Sequence, residues 1–219
     1  MKHHNIKIAM AVSGFPVVSQ TFISLQIAEL YKCGCDIKII NMGRVGDDDH
    51  VPESVKLIKD QLTIIALPYH NRASDLRNVF HFLFILVTNF LSCPIPSVKL
   101  FCDKALRLKL LDFARIHNDA FLLRMCEGSD IIHFQFATLA DRFNHVNQYG
   151  FMHSTARLVC SIRGYDISRK TSIADIDWKF LFREFALFLP VCDYFVHILK
   201  KMGCKKAIKV IRSPVDVDA

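Results

Sequence analysis

Glycine is scarce in this chain, 8 in 219 residues, and the first loop that could cradle a phosphate holds Gly14 alone. Dinucleotide sites need G-x-G-x-x-G at that place, because the glycines let backbone close on a pyrophosphate, so NAD and FAD are not expected. No tight Lys/Arg run interleaved with aromatics is present, and no nucleic-acid partner is expected either. The net charge of +7 and pI near 9.0 still favour anionic partners such as sugar-nucleotide phosphates or anionic lipid headgroups. No secretory leader precedes the first strand: Met1-Lys2-His3-His4-Asn5 runs straight into it. The eight cysteines therefore read as free thiols of a reducing cytoplasm, with Cys102, Cys126, Cys160 and Cys192 in segments that look like core. Cys33-Gly34-Cys35 lacks a second ligand pair at zinc-like spacing. Repeats, low-complexity tracts and flexible linkers are missing too. What remains, 52% hydrophobic and 22% charged, is the composition of one folded domain with a sizeable core.

The elements that are there alternate. Ile6–Val12 reads as a short buried strand, followed by a loop from Ser13 to Phe22 and a helix with apolar positions at Phe22, Ile23, Ile27 and Leu30. Asp36–Ile40 is the next strand, a polar loop runs from Asn41 to His50, and a third strand lies around Leu62–Leu67. A helical region from about Ser74 to Glu127 is broken by Pro94 and Pro96. Strands follow at Asp130–Phe134, Ala156–Ile162, Leu187–Val191 and Ile208–Ile211, with helices at Ile176–Phe188 and Asp193–Met202 and a glycine stop at Gly203. Strand–helix–strand alternation implies an α/β fold, a Rossmann-like doubly wound parallel sheet, whose ligands bind at the carboxyl ends of the strands.

Within the helical region, Val79–Leu91 is very apolar but shorter than the about 20 residues that span a bilayer. Arg72, Arg77, Lys99, Lys104, Arg107 and Lys109 flank it. It reads either as a buried or domain-packing helix or as an interfacial helix lying on anionic lipid.

Four segments carry a resemblance. They are Phe15-Pro16-Val17-Val18-Ser19-Gln20-Thr21-Phe22-Ile23, Asp130-Ile131-Ile132-His133-Phe134-Gln135-Phe136, Ser161-Ile162-Arg163-Gly164-Tyr165-Asp166-Ile167, and the stretch from Leu189 to Asp218. In this order they resemble the amino-terminal, acceptor-side domain of GT-B glycosyltransferases. The match is with the family 4 retaining enzymes of capsule, exopolysaccharide and colanic-acid assembly, whose patterns are F-P-x-x-S-E-T-F-I, D-V-I-H-x-H-F and S-F-H-G-Y-D-I. The resemblance covers nearly the whole chain. It implies hexosyl transfer from a nucleotide sugar to a polysaccharide or lipid-linked acceptor, with no cofactor beyond the donor.

The residues permit part of that chemistry. A retaining transfer passes through an oxocarbenium-like state as the diphosphate leaves, and backbone amides and cations near the phosphate stabilise it. Gly14 would let ligand approach the loop backbone, and the helix after it presents its N-terminus to an anion. Ser19 either touches substrate or is a plain helix N-cap, and Gln20 and Thr21 stand beside it. His133 is either a satisfied, half-buried histidine or a substrate contact. Asp166 either caps the turn that follows or binds ligand. Gly164 completes the rim of substrate-binding residues. Three positions depart from the family pattern: Arg163 and Gln135 replace histidines, and Gln20 replaces a glutamate. Arg163 cannot serve as a base near neutral pH, although it can hold a phosphate or carboxylate. Catalytic residues are thus left unassigned. Asp47-Asp48-Asp49 lies several residues past a strand in a polar loop, which points to a solvated loop and to no metal.

The GT-B resemblance also implies a second, donor-binding domain, which the 219 residues do not contain. Two readings follow. The chain is the acceptor-side half of a glycosyltransferase, inactive alone and to be completed by a separate donor-domain chain; or it is a standalone, non-catalytic Rossmann-like binding module or gene remnant. A cytoplasmic location, peripheral on the inner face of the plasma membrane if the apolar helix is interfacial, accompanies either.

Overall fold

The computed structural model describes residues 5–17, 20–45, 59–67, 76–152, 155–168 and 175–212. The fold expected from the alternation is present: seven strands form one all-parallel sheet flanked by helices. Strands β1 (Lys7–Phe15), β2 (Asp36–Val45), β3 (Thr63–Ala66), β4 (Ile131–Phe134), β5 (Arg157–Ile162), β6 (Leu187–Pro190) and β7 (Ala207–Ile208) lie in the order β3-β2-β1-β4-β5-β6-β7. The order reverses between β1 and β4, whose register runs Ile8↔Ile131 to Ala11↔Phe134. At such a switch point the connections leave to opposite sides and open a crevice.

The two-residue period of β1 explains both faces. Ile8, Met10 and Val12 pack against Ile23 and Ile27 of helix α1 (Thr21–Lys32) and against Ile37 and Ile39 of β2. Ala9 and Ala11 point into the larger core on the other face. That core is covered by α2 (Leu76–Ser92), α3 (Pro94–Leu100), a π-helical turn (Phe101–Ala105), α4 (Leu110–Arg124) and α5 (Ala137–Tyr149). The short helices α6 (Gly164–Ser168) and α7 (Trp178–Glu184) and then α8 (Asp193–Lys201) complete the α/β alternation.

Several expectations are corrected. The polar loop expected from Asn41 is strand as far as Val45, because β1 itself continues to Phe15 and pairs Gly14 with Arg44 and Phe15 with Val45. The long helical region divides at Cys93, and Pro94 opens α3 at its first position, where its missing N–H has no helical partner to lose. Helix α5 had no counterpart in the sequence reading. Helix α7 ends at Glu184, since Leu187 already belongs to β6. Cys102, expected in the core, is exposed on the π-helical turn, whereas Cys126 and Cys160 are buried. Asp47, Asp48 and Asp49 lie outside the described residues, as does Ser19. Among the described residues no helix is long and apolar enough to cross a membrane.

Candidate functional site

The switch point holds a cleft of about 510 Å³, lined by Ser13, Gln20, Phe22, Phe136, Thr138, Arg163, Gly164, Tyr165 and Val191. Its walls are the carboxyl ends of β1, β4, β5 and β6 together with the N-terminus of α1. The volume falls in the range of small-molecule sites.

The β1 side is shaped by an irregularity in its pairing with β2. Val12 pairs with Asn41, but Gly14 pairs with Arg44, so β2 carries one extra residue there. Gly43 lies in that bulge, and a Cβ on it would sit 1.8 Å from the Ser13 carbonyl oxygen. The buried Asn41 ties the bulge together: its Nδ2 donates to the Phe15 carbonyl at 3.4 Å, and its Oδ1 accepts from the Gly43 N–H at 3.2 Å. Ser13 is thereby presented to the cleft, where its Oγ accepts from Gln20 Nε2 at 3.1 Å. The other amide atom of Gln20, Oε1, is buried with no hydrogen-bond partner among the described residues.

Arg163 enters from the end of β5. Its guanidinium carbon lies 3.9 Å from the centre of the Phe22 ring, a cation–π contact, and Nη2 donates to Gln135 Oε1 at 2.8 Å. Burial lowers its pKa to about 10, which leaves it charged at neutral pH. Gln135 is fully buried and passes the connection to α1 through Nε2, which donates to Gln26 Oε1 at 3.1 Å. His133 is buried behind it, with Nε2 2.8 Å from Ser161 Oγ. Burial first, then the Arg163 charge, pushes its pKa down to about 3, so the ring is neutral.

Asp166 is a structural carboxylate. Oδ2 accepts from the Arg163 N–H at 2.9 Å, closing the turn after β5, and Oδ1 accepts from the Ala137 N–H at 3.0 Å. The second bond caps α5 from 29 residues away. The residue at the N-cap of that helix is Phe136, which has no side-chain acceptor to offer. Burial pushes the Asp166 pKa up to about 6 against these backbone donors and Arg163.

Of the nine residues expected at the rim, Gln20, Arg163 and Gly164 line the cleft. Gly14 is buried within β1, and Thr21 is exposed at the start of α1. His133, Gln135 and Asp166 lie behind the lining and hold it in place. The aromatic walls Phe22, Phe136 and Tyr165 and the hydroxyls of Ser13 and Thr138 were not singled out as site residues. All but Phe22, which opens α1, are within four residues of a strand end, which is the signal that would have found them.

Chemically, the cleft offers one permanent cation, amide and hydroxyl groups, and aromatic faces. Among the described residues its lining holds no Asp, Glu or His, and the Tyr165 hydroxyl is the one side chain there of a type that serves as general acid or base. Such a surface binds and orients. Among the described residues no group of three His, Cys, Asp or Glu side chains is placed to hold a metal ion. No protein-family model matches the chain, and no curated protein matches it.

Proposed function

We propose that this chain is the acceptor-side half of a GT-B retaining glycosyltransferase of the family 4, capsule and exopolysaccharide type. It binds a glycan or lipid-linked acceptor at the switch-point cleft, while the nucleotide-sugar donor is held by a second domain. The observation that carries the reading is the Arg163 guanidinium stacked on Phe22 in a cleft whose described lining holds no Asp, Glu or His. A fixed cation suits the phosphate or carboxylate of an anionic acceptor, and aromatic faces suit the C–H faces of a sugar ring. The four motif segments, in family order, supply the remaining support.

The test is calorimetric titration of the chain with a panel of sugar nucleotides and with short-chain polyprenyl diphosphate sugars. The expected result is binding of the diphosphate sugars that Arg163→Ala weakens roughly tenfold or more, about 1.4 kcal/mol, and no micromolar affinity for a sugar nucleotide. Tight binding of a nucleotide sugar by this domain, or indifference to both ligand classes, would overturn the reading. The second outcome would favour the standalone module.

A further inference from the structure

Helix α2 carries large apolar side chains on its outer face as well as its inner one. Residues 78–98 contain no Asp, Glu, Lys or Arg, yet the structure buries only one face of that stretch. Ile85 and Asn89 are buried, and Phe82 meets Phe113 of α4 edge-on at 6.4 Å between ring centres. The opposite face is open to solvent, with Phe80 at 69%, Phe84 at 60% and Leu91 at 80% exposure. An amphipathic helix on a globular protein turns charged residues outward; this one turns phenylalanine and leucine outward.

The open face continues along the chain. Among the described residues, thirteen of the 17 exposed large apolar side chains fall between Val79 and Leu111. Leu108, at the turn joining the π-helical segment to α4, is 83% exposed, and Leu111, in the first turn of α4, is 89% exposed. Leu108 has a φ of 58°, a backbone region that leucine rarely occupies. Arg107 and Lys109 flank it directly, and Lys99 is exposed on α3. From 76 to 115 the chain carries six Lys or Arg against two Asp.

We propose that this ridge, from α2 to the start of α4, docks on an anionic lipid surface. Its apolar side chains enter the headgroup–acyl boundary, and Lys99, Arg107 and Lys109 neutralise lipid phosphates. Charge selects this occupant over a second copy of the chain, because a symmetric dimer would bring the same cations face to face. The inference is independent of the acceptor reading, since none of its residues lines the cleft.

Vesicle flotation tests it with phosphatidylcholine alone and with phosphatidylcholine and phosphatidylglycerol in equal parts. The chain is expected to float with the anionic vesicles, to stay behind with the neutral ones, and to be released roughly tenfold by high salt. Leu108→Gly removes an apolar tip while relieving the positive φ, so the fold should be no less stable, yet flotation should fall several-fold. Phe80→Asp with Phe84→Asp, both at exposed positions, should abolish it, with far-ultraviolet circular dichroism unchanged. Failure to float with phosphatidylglycerol would overturn the proposal. So would equal flotation with neutral vesicles, or a concentration-dependent dimer that Phe80→Asp dissociates.

Discussion

Two histidines are buried as neutral rings, and neither lines the cleft. His133 is held by Ser161, and His117 sits among Phe90, Phe113 and Phe151 with Nδ1 3.1 Å from Asn89 Nδ2. Burial lowers the His117 pKa to about 4 and that of His133 to about 3, from an ordinary 6.5. Each therefore takes up its proton first in the unfolded chain, so stability is full above pH 6.5 and falls as pH drops towards 4. Asp166 acts in the opposite sense between 3.8 and about 6, because its folded form holds its proton longer. Burial raises the Asp119 pKa as well, so that carboxylate acts in the same sense as Asp166 and the two partly offset the histidines. Guanidinium melts should show the chain less stable at pH 5 than at pH 7 by about 1–2 kcal/mol, and His117→Phe should flatten the slope. A chain equally stable at both values would mean that these imidazoles are not held neutral.

At the scale of elements, the strands were legible because each is a short apolar run bounded by polar or turn residues. Helix α5 was not, although Leu139, Ala140, Phe143 and Val146 keep helical spacing and Gly150 ends it at a φ of 82°. Two things hid it. Its N-cap is a phenylalanine, with the capping carboxylate 29 residues downstream, and its core-facing side includes Asn144, which a hydropathy pattern counts as polar. The β2 bulge was equally illegible, since Asn41 and Gly43 read as a loop until β1 is seen continuing beside them. Gly43→Ala should be severe, costing about 3 kcal/mol or more, because backbone of the neighbouring strand occupies the methyl position. Gly34→Ala is the control: its φ of 81° is strained for alanine, but the space is open, so about 1 kcal/mol is expected. Urea midpoints of the two variants should separate clearly, and equal midpoints would contradict the close approach of β1 and β2.

Over the whole molecule, the parallel sheet and a cleft at the carboxyl ends of its strands follow from the alternation, but the order of the strands and which side chains face the cleft do not. His133 and Gln135 belong to the motif that marked the rim, and both lie behind it. Gln135 and Arg163 are each the first residue past a strand, and of the two Arg163 lines the cleft while Gln135 is buried behind it. The thiols report the same layering. Cys33 and Cys102 are exposed, Cys35, Cys93 and Cys192 are partly covered, and Cys126, Cys160 and Cys204 are buried. Burial pushes the Cys126 pKa up to about 12 and that of Cys160 well above the usual thiol range, which withholds the reactive thiolate. A disulfide reagent should modify Cys33 and Cys102 within the fast phase and reach Cys126 and Cys160 only after denaturation. Rapid modification of either buried thiol in the folded chain would contradict this packing.

The carboxylate of Asp166 gives one residue two duties, as it starts α5 through the Ala137 amide and fixes the Arg163 turn through the Arg163 amide. The helix behind the sheet and the cation in the cleft therefore share a single point of failure. A ligand that draws the Arg163 turn out of place must also fray the first turn of α5, and one that holds the turn tightens that helix. By reciprocity, whatever steadies α5 improves the grip on the ligand by the same factor.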